Sequence, residues 1–62
     1  MNGKELRRIR KQLELTQVQL AEELGIHPNS VARQERGEIG ISEPVARLVK
    51  MIAKQKGGKK HG

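Results

Sequence analysis

The chain has 62 residues, a formal net charge of +6, no cysteine and no aromatic side chain. Its length holds one small domain that must rest on efficient helix packing, and the missing cysteines exclude a disulfide framework and a cysteine metal site. No apolar run approaches the ~20 residues of a membrane span; MNGKELRRIRK has no signal-peptide core, the cytoplasm is the expected location, and Met1 is consistent with a complete protein.

Leu6, Ile9 and Leu13 recur at helical spacing, which predicts an amphipathic first helix from about Gly3 to Leu13. Asn2 is placed to cap it, with Glu5 three residues on in a variant of the capping box. The next start signal is sharper. Thr16-Gln17-Val18-Gln19 reads as a capping box, and Leu15 and Leu20 as the hydrophobic staple around it. Helix 2 then runs to Leu24, buries Leu20, Ala21 and Leu24, and stops at Gly25 in the left-handed conformation.

Pro28 suits the first position of a third helix, where a missing N–H costs nothing. His27 is expected at its cap, Val31 as its buried anchor, Gln34 as half-buried and Gly37 as its exit. Helix 4 starts near Ser42 with Pro44 in its first turn. It directs Val45, Leu48, Val49 and Ile52 inward and ends at Gly57-Gly58. Met51, with Ala46 or Ala53, is left over from that packing. The architecture is therefore all-α: a compact domain of four helices over residues 1–56, followed by a flexible basic tail over 57–62. No strand-like alternation and no internal repeat is present.

Helices 2 and 3, joined by a tight glycine-containing turn, form a helix-turn-helix signature. In that motif the second helix enters the major groove and its N-terminal residues meet base edges. Pro28, Asn29, Ser30 and Arg33 would then face outward because DNA is their partner.

The residues Leu15, Thr16, Gln17, Leu20, Ala21, Leu24, Gly25, Ile26, Val31, Arg33, Glu35 and Gly37 resemble the phage-repressor/Cro class of helix-turn-helix domains. The resemblance covers residues 4–53 and implies the lambda-repressor-like fold. The segment EPVARLVKMIAK is similar to the fourth helix of short regulators in this class, including the DNA-binding halves of some antitoxins. Two features depart from the pattern. Gln34 stands where a large apolar or aromatic residue is usual, and the fifth helix of many repressors has no counterpart.

The resemblance implies roles residue by residue. Asn29 and Arg33, four apart and so on one face, match base-reading positions of a recognition helix spanning about 28–36. Asn pairs bidentately with adenine and Arg with guanine. Ser30 and Pro28 are lesser base contacts. Gln17 and Thr16, at the N-terminus of helix 2, would contact the DNA backbone, where free N–H groups favour an anion. Ser42 and Arg7 are further expected backbone contacts, read from the loop after helix 3 and the charge of helix 1 and not from the resemblance. Arg10 and Glu35 match an ion pair that fixes helix 1 to helix 3. The blander alternatives make Asn29 an ordinary first-turn polar residue, Arg33 the partner of a surface Glu, and Gln17 plain helix surface.

The charge is unevenly spread. Residues 1–11 are net +4, residues 12–43 net −4, and residues 44–62 net +6. Phosphate attraction thus falls to helix 1 (Arg7, Arg8, Lys11) and the lysine-rich end, while the loop GEIGISE supplies backbone N–H groups or Ser42. Ile39 and Ile41 in that loop, with Met51 on helix 4, offer apolar surface for a homodimer, formed in solution or only on DNA.

The expected function is sequence-specific double-stranded DNA binding by a small transcriptional regulator of the repressor type. Two alternatives stand beside it: an antitoxin-type module that binds a toxin, and non-specific nucleic-acid binding through the basic ends. No enzyme is expected, since no nucleophile–base pair, phosphate-binding Gly loop or buried carboxylate pair is present. No cofactor or metal is expected either; His27 and His61 lack ligand partners at metal-binding spacing.

Overall fold

The computed structural model describes residues 1–58, and His61 and the rest of the expected tail beyond Gly58 lie outside them. Side-chain caps fix the start of each of the first three helices. Asn2 Oδ1 accepts the Glu5 N–H (2.8 Å) at the head of α1 (Gly3–Gln12). The return half of that box is not formed, because the Glu5 carboxylate leans toward Arg8 (3.9 Å). At α2 (Gln17–Leu24) both halves are present: Thr16 Oγ1 accepts from the Gln19 N–H (3.1 Å), and Gln19 Oε1 from the Thr16 N–H (2.9 Å). At α3 (Pro28–Arg36) the His27 ring accepts the Asn29 N–H through Nδ1 (3.0 Å), with Pro28 as the first helical residue.

The same three helices end in one motif. In each, the residue after the last turn is left-handed, and the next N–H reaches back to a carbonyl five residues earlier. Gly25 (φ 72°) and Gly37 (φ 79°) occupy this position after α2 and α3, with Ile26 bonding Ala21 (3.0 Å) and Glu38 bonding Arg33 (2.9 Å). After α1 the position is held by Glu14 at φ 59°, with Leu15 bonding Arg10 (3.2 Å). The first helix therefore stops at Gln12, and Leu13 follows it. No glycine marks that end in the sequence, which is why the spacing alone carries the helix to Leu13. α4 (Glu43–Gly58) runs through both glycines of the expected stop.

α3 packs against both α1 and α2, and α4 closes the far side of α2. The core between them joins Leu6, Leu20, Leu24, Val31, Val49 and Ile52. Three sequence expectations need correction. Ala46 is buried (2% exposed) instead of surplus, so the inward face of α4 is wider than its large aliphatic side chains alone indicate. Ile41 packs against the core from its loop, so it is not wholly available as outer surface. Gln34 is buried (6% exposed) where half-burial was expected, and its Oε1 has no hydrogen-bond partner. An amide is a costlier occupant of this buried position than an apolar side chain would be.

Gly3 sets how closely α1 meets α3. A Cβ at this position would lie 2.5 Å from the Glu35 carbonyl oxygen and nearer still to that of Gln34. Both obstacles are backbone, so no rotamer change relieves them. Alanine favours a helix over glycine by up to ~1 kcal/mol, but forcing apart a packed contact costs ~1–3 kcal/mol. Gly3→Ala is expected to cost about 1 kcal/mol of stability or more, read as a lower urea midpoint. An unchanged or raised midpoint contradicts this close approach.

Candidate nucleic-acid interface

The surface of interest begins with a buried charge pair. Arg10 Nε donates to Glu35 Oε2 (2.6 Å) and Nη2 donates to Glu35 Oε1 (3.0 Å), a two-point contact. Arg10 Nη1 also donates to the Leu15 carbonyl (3.0 Å), so the guanidinium ties α1 to the start of the next turn as well. The side chains are only 12% and 5% exposed. Burial pushes the Glu35 carboxyl up. The hydrogen bonds from Arg10 and Gln17, and the charges of Arg10 and Arg7, outweigh that effect and hold it below its ordinary value of 4.5.

This pair recruits a residue expected on the DNA backbone. Gln17 Nε2 donates to Glu35 Oε1 (3.2 Å), and the side chain is half-buried. Gln17 is thus neither plain helix surface nor a wholly free phosphate ligand. The N–H groups of Gln17 and Val18, in the first turn of α2, have no intrahelical acceptor. Thr16 is exposed, with its oxygen already serving the cap.

A cleft between α1, α2 and α3 brings together Arg7, Gln17 and Arg36 around the Arg10–Glu35 pair. Arg7 is exposed there. Ser42 lies apart, exposed at the head of α4, where its carbonyl accepts the Ala46 N–H (2.9 Å).

On α3 the inward positions are Val31 and Gln34. Asn29 and Arg33 are exposed one turn apart, while Pro28 and Ser30 are half-buried. Arg36 continues the Asn29–Arg33 stripe one further turn and is exposed. Its place in the stripe follows from its i+7 spacing to Asn29, whereas its place in the cleft depends on how α1 and α2 pack against α3. Arg33 has a surface partner: its Nε lies 3.4 Å from Glu38 Oε1. Arg36 Nε donates to the other oxygen of the same carboxylate (2.6 Å). The hydrogen bond from Arg36 holds the Glu38 carboxyl below its ordinary range, and Glu38 raises Arg36 in return. Sequence spacing did not single out Glu38, because its place depends on the left-handed turn at Gly37.

Met51 is exposed on α4 (57%), and Ile39 is half-buried in the preceding loop. A shallow apolar hollow beside Met51 is lined by Pro44 and Leu48 and rimmed by Glu43 and Arg47. Among the described residues, no three His, Cys, Asp or Glu side chains converge as a metal site, and no helix is long and apolar enough to cross a membrane. The family model described as helix-turn-helix matches residues 6–54. No curated protein and no solved structure matches the chain.

A buried, doubly bonded pair stabilises the fold only while both partners are present. Glu35→Ala strands the Arg10 charge and is expected to cost roughly 3–5 kcal/mol, against a total of roughly 3–9 kcal/mol for a domain of this length. Because folding lowers the Glu35 pKa, its contribution is complete above the ordinary value of 4.5 and is lost as pH falls through the lower folded value. The stability gap between the native chain and Glu35→Gln should therefore narrow in acid denaturation series. A gap near zero at neutral pH contradicts the buried pair.

Proposed function

We propose that this chain, which belongs to the repressor/Cro-type helix-turn-helix family and is a DNA-binding regulator, binds double-stranded DNA sequence-specifically and acts as a repressor. The observation that carries this reading is the division of α3: Val31 and Gln34 lock it inward while Asn29, Arg33 and Arg36 form one exposed stripe. In the proposed complex α3 lies in the major groove. Asn29 reads adenine and Arg33 reads guanine, with Ser30 and Pro28 as lesser contacts. Thr16, the first-turn N–H groups of α2, Arg7 and Ser42 hold phosphates, and Gln17 contributes through its backbone while its side chain serves Glu35. Residues 1–56 form the binding domain, and 57–62 add non-directional positive charge.

The stripe supports specific over purely non-specific binding. Non-specific attraction needs only charge, whereas an uncharged amide one turn from an arginine adds directional pairing. Asn29→Ala or Arg33→Ala is expected to cost about 1–3 kcal/mol on the preferred duplex and to relax discrimination at one position. Equal losses on preferred and random DNA, in fluorescence-anisotropy titrations, contradict the assignment.

One recognition helix of this length reads few bases, so the proposed working form is a homodimer on two half-sites ~34 Å apart. Met51 and the hollow beside it, with Ile39, are the proposed contact. Met51→Lys is expected to leave the monomer folded and to abolish cooperative binding to a paired site. Sedimentation of the native chain as a monomer at high concentration, with one chain per palindromic duplex, contradicts it.

A further inference from the structure

Glu38 contacts the two arginines of the α3 stripe at once, and its position is set by the backbone. Its N–H bonds the Arg33 carbonyl (2.9 Å) beyond the left-handed Gly37, which returns its side chain along the last turn of α3. Oε1 then lies 3.4 Å from Arg33 Nε, and Oε2 accepts from Arg36 Nε (2.6 Å). An acidic residue at a helix C-terminus is disfavoured by the helix dipole, so helix stability alone does not account for it. All three side chains are about half exposed, which leaves the group facing solvent.

The nearest contacts fall on Nε, at the base of each guanidinium fork. Among the described residues the terminal nitrogens of Arg33 and Arg36 make no hydrogen bond. Such an arginine is treated differently by the two parts of DNA. Pairing with guanine O6 and N7 uses directional N–H groups, and the terminal pair can supply them while Nε stays on the carboxylate. Binding to phosphate draws on net charge and counterion release. The single negative charge of Glu38, shared by the two guanidiniums, offsets part of their charge and so weakens both contributions, and the carboxylate itself repels phosphate.

We propose that Glu38 is a specificity-determining positioning residue: it orients Arg33 for a base edge and suppresses its binding to phosphate. This inference rests on the reading that Arg33 contacts a base. Glu38→Gln removes the charge and keeps the shape.

The test compares the native chain, Glu38→Gln, Arg33→Ala and the double variant on two duplexes, one enriched from random sequence and one scrambled from it, over a salt series. Glu22→Gln, at an exposed carboxylate on α2, controls for loss of a general negative charge. Glu38→Gln is expected to bind the scrambled duplex about tenfold more tightly, with a log–log salt slope steeper by about 1. Its affinity for the enriched duplex should change no more than about twofold, so preference falls, whereas Glu22→Gln shifts both duplexes alike. In the Arg33→Ala background, Glu38→Gln should alter both duplexes by one factor. An unchanged preference in Glu38→Gln, with Arg33→Ala losing its preference as expected, overturns this inference alone. An unchanged preference in Arg33→Ala overturns the reading of Arg33 and this inference with it.

Discussion

The two-point contact between Arg10 and Glu35 is the interaction on which the arrangement depends. Apart from Gln34 the core is aliphatic, and its largest fully buried side chains are Leu6, Leu20, Val31 and Val49. Such a core supplies cohesion without much direction. The charge pair supplies direction. It joins α1 to α3, reaches the turn before α2 through the Leu15 carbonyl, and takes Gln17 of α2 as a third donor. Three helices are thereby oriented about one carboxylate. The same carboxylate lies under the cleft whose rim carries Arg7 and Arg36. The element that would read DNA is thus braced from behind by the group that also organises the proposed phosphate side.

Two further devices act with that brace. Gly3 lets the first turn of α1 approach the carbonyls at the end of α3, which places the positive end of one helix dipole near the negative end of another. The left-handed residues after α1, α2 and α3 turn the chain sharply without leaving the last carbonyls unpaired. Tight turns keep short helices in contact, and short helices leave few residues to waste. Gln34 is the exception. It fills volume near the centre and leaves an acceptor unpaired.

Much of this was legible because the signals are local. Thr16 with Gln19, Pro28 and the glycines at 25 and 37 each act within four residues, so spacing alone located α2 and α3. Pattern resemblance supplied the Arg10–Glu35 pairing, which joins residues 25 apart. What escaped the sequence depends on three-dimensional proximity. Glu14 takes a left-handed conformation more often given to glycine, and nothing local announces it. Ala46 is buried by the packing around α4, which a helical wheel cannot tell from an exposed alanine. The engagement of Gln17 by Glu35 and the bridging of Arg33 and Arg36 by Glu38 both require knowing which side chains converge. The exposed stripe of α3 was readable; the electrostatic setting that conditions it was not.

Selection of bound sites from random duplexes tests most directly whether α3 reads base sequence from a scaffold fixed by the Arg10–Glu35 pair, since it assumes no target. The expected result is enrichment of a defined site containing adenine and guanine positions within one half-site, repeated with two-fold symmetry ~34 Å apart. Recovery of sequences no different from the starting pool, at salt concentrations where the protein still binds, would contradict it.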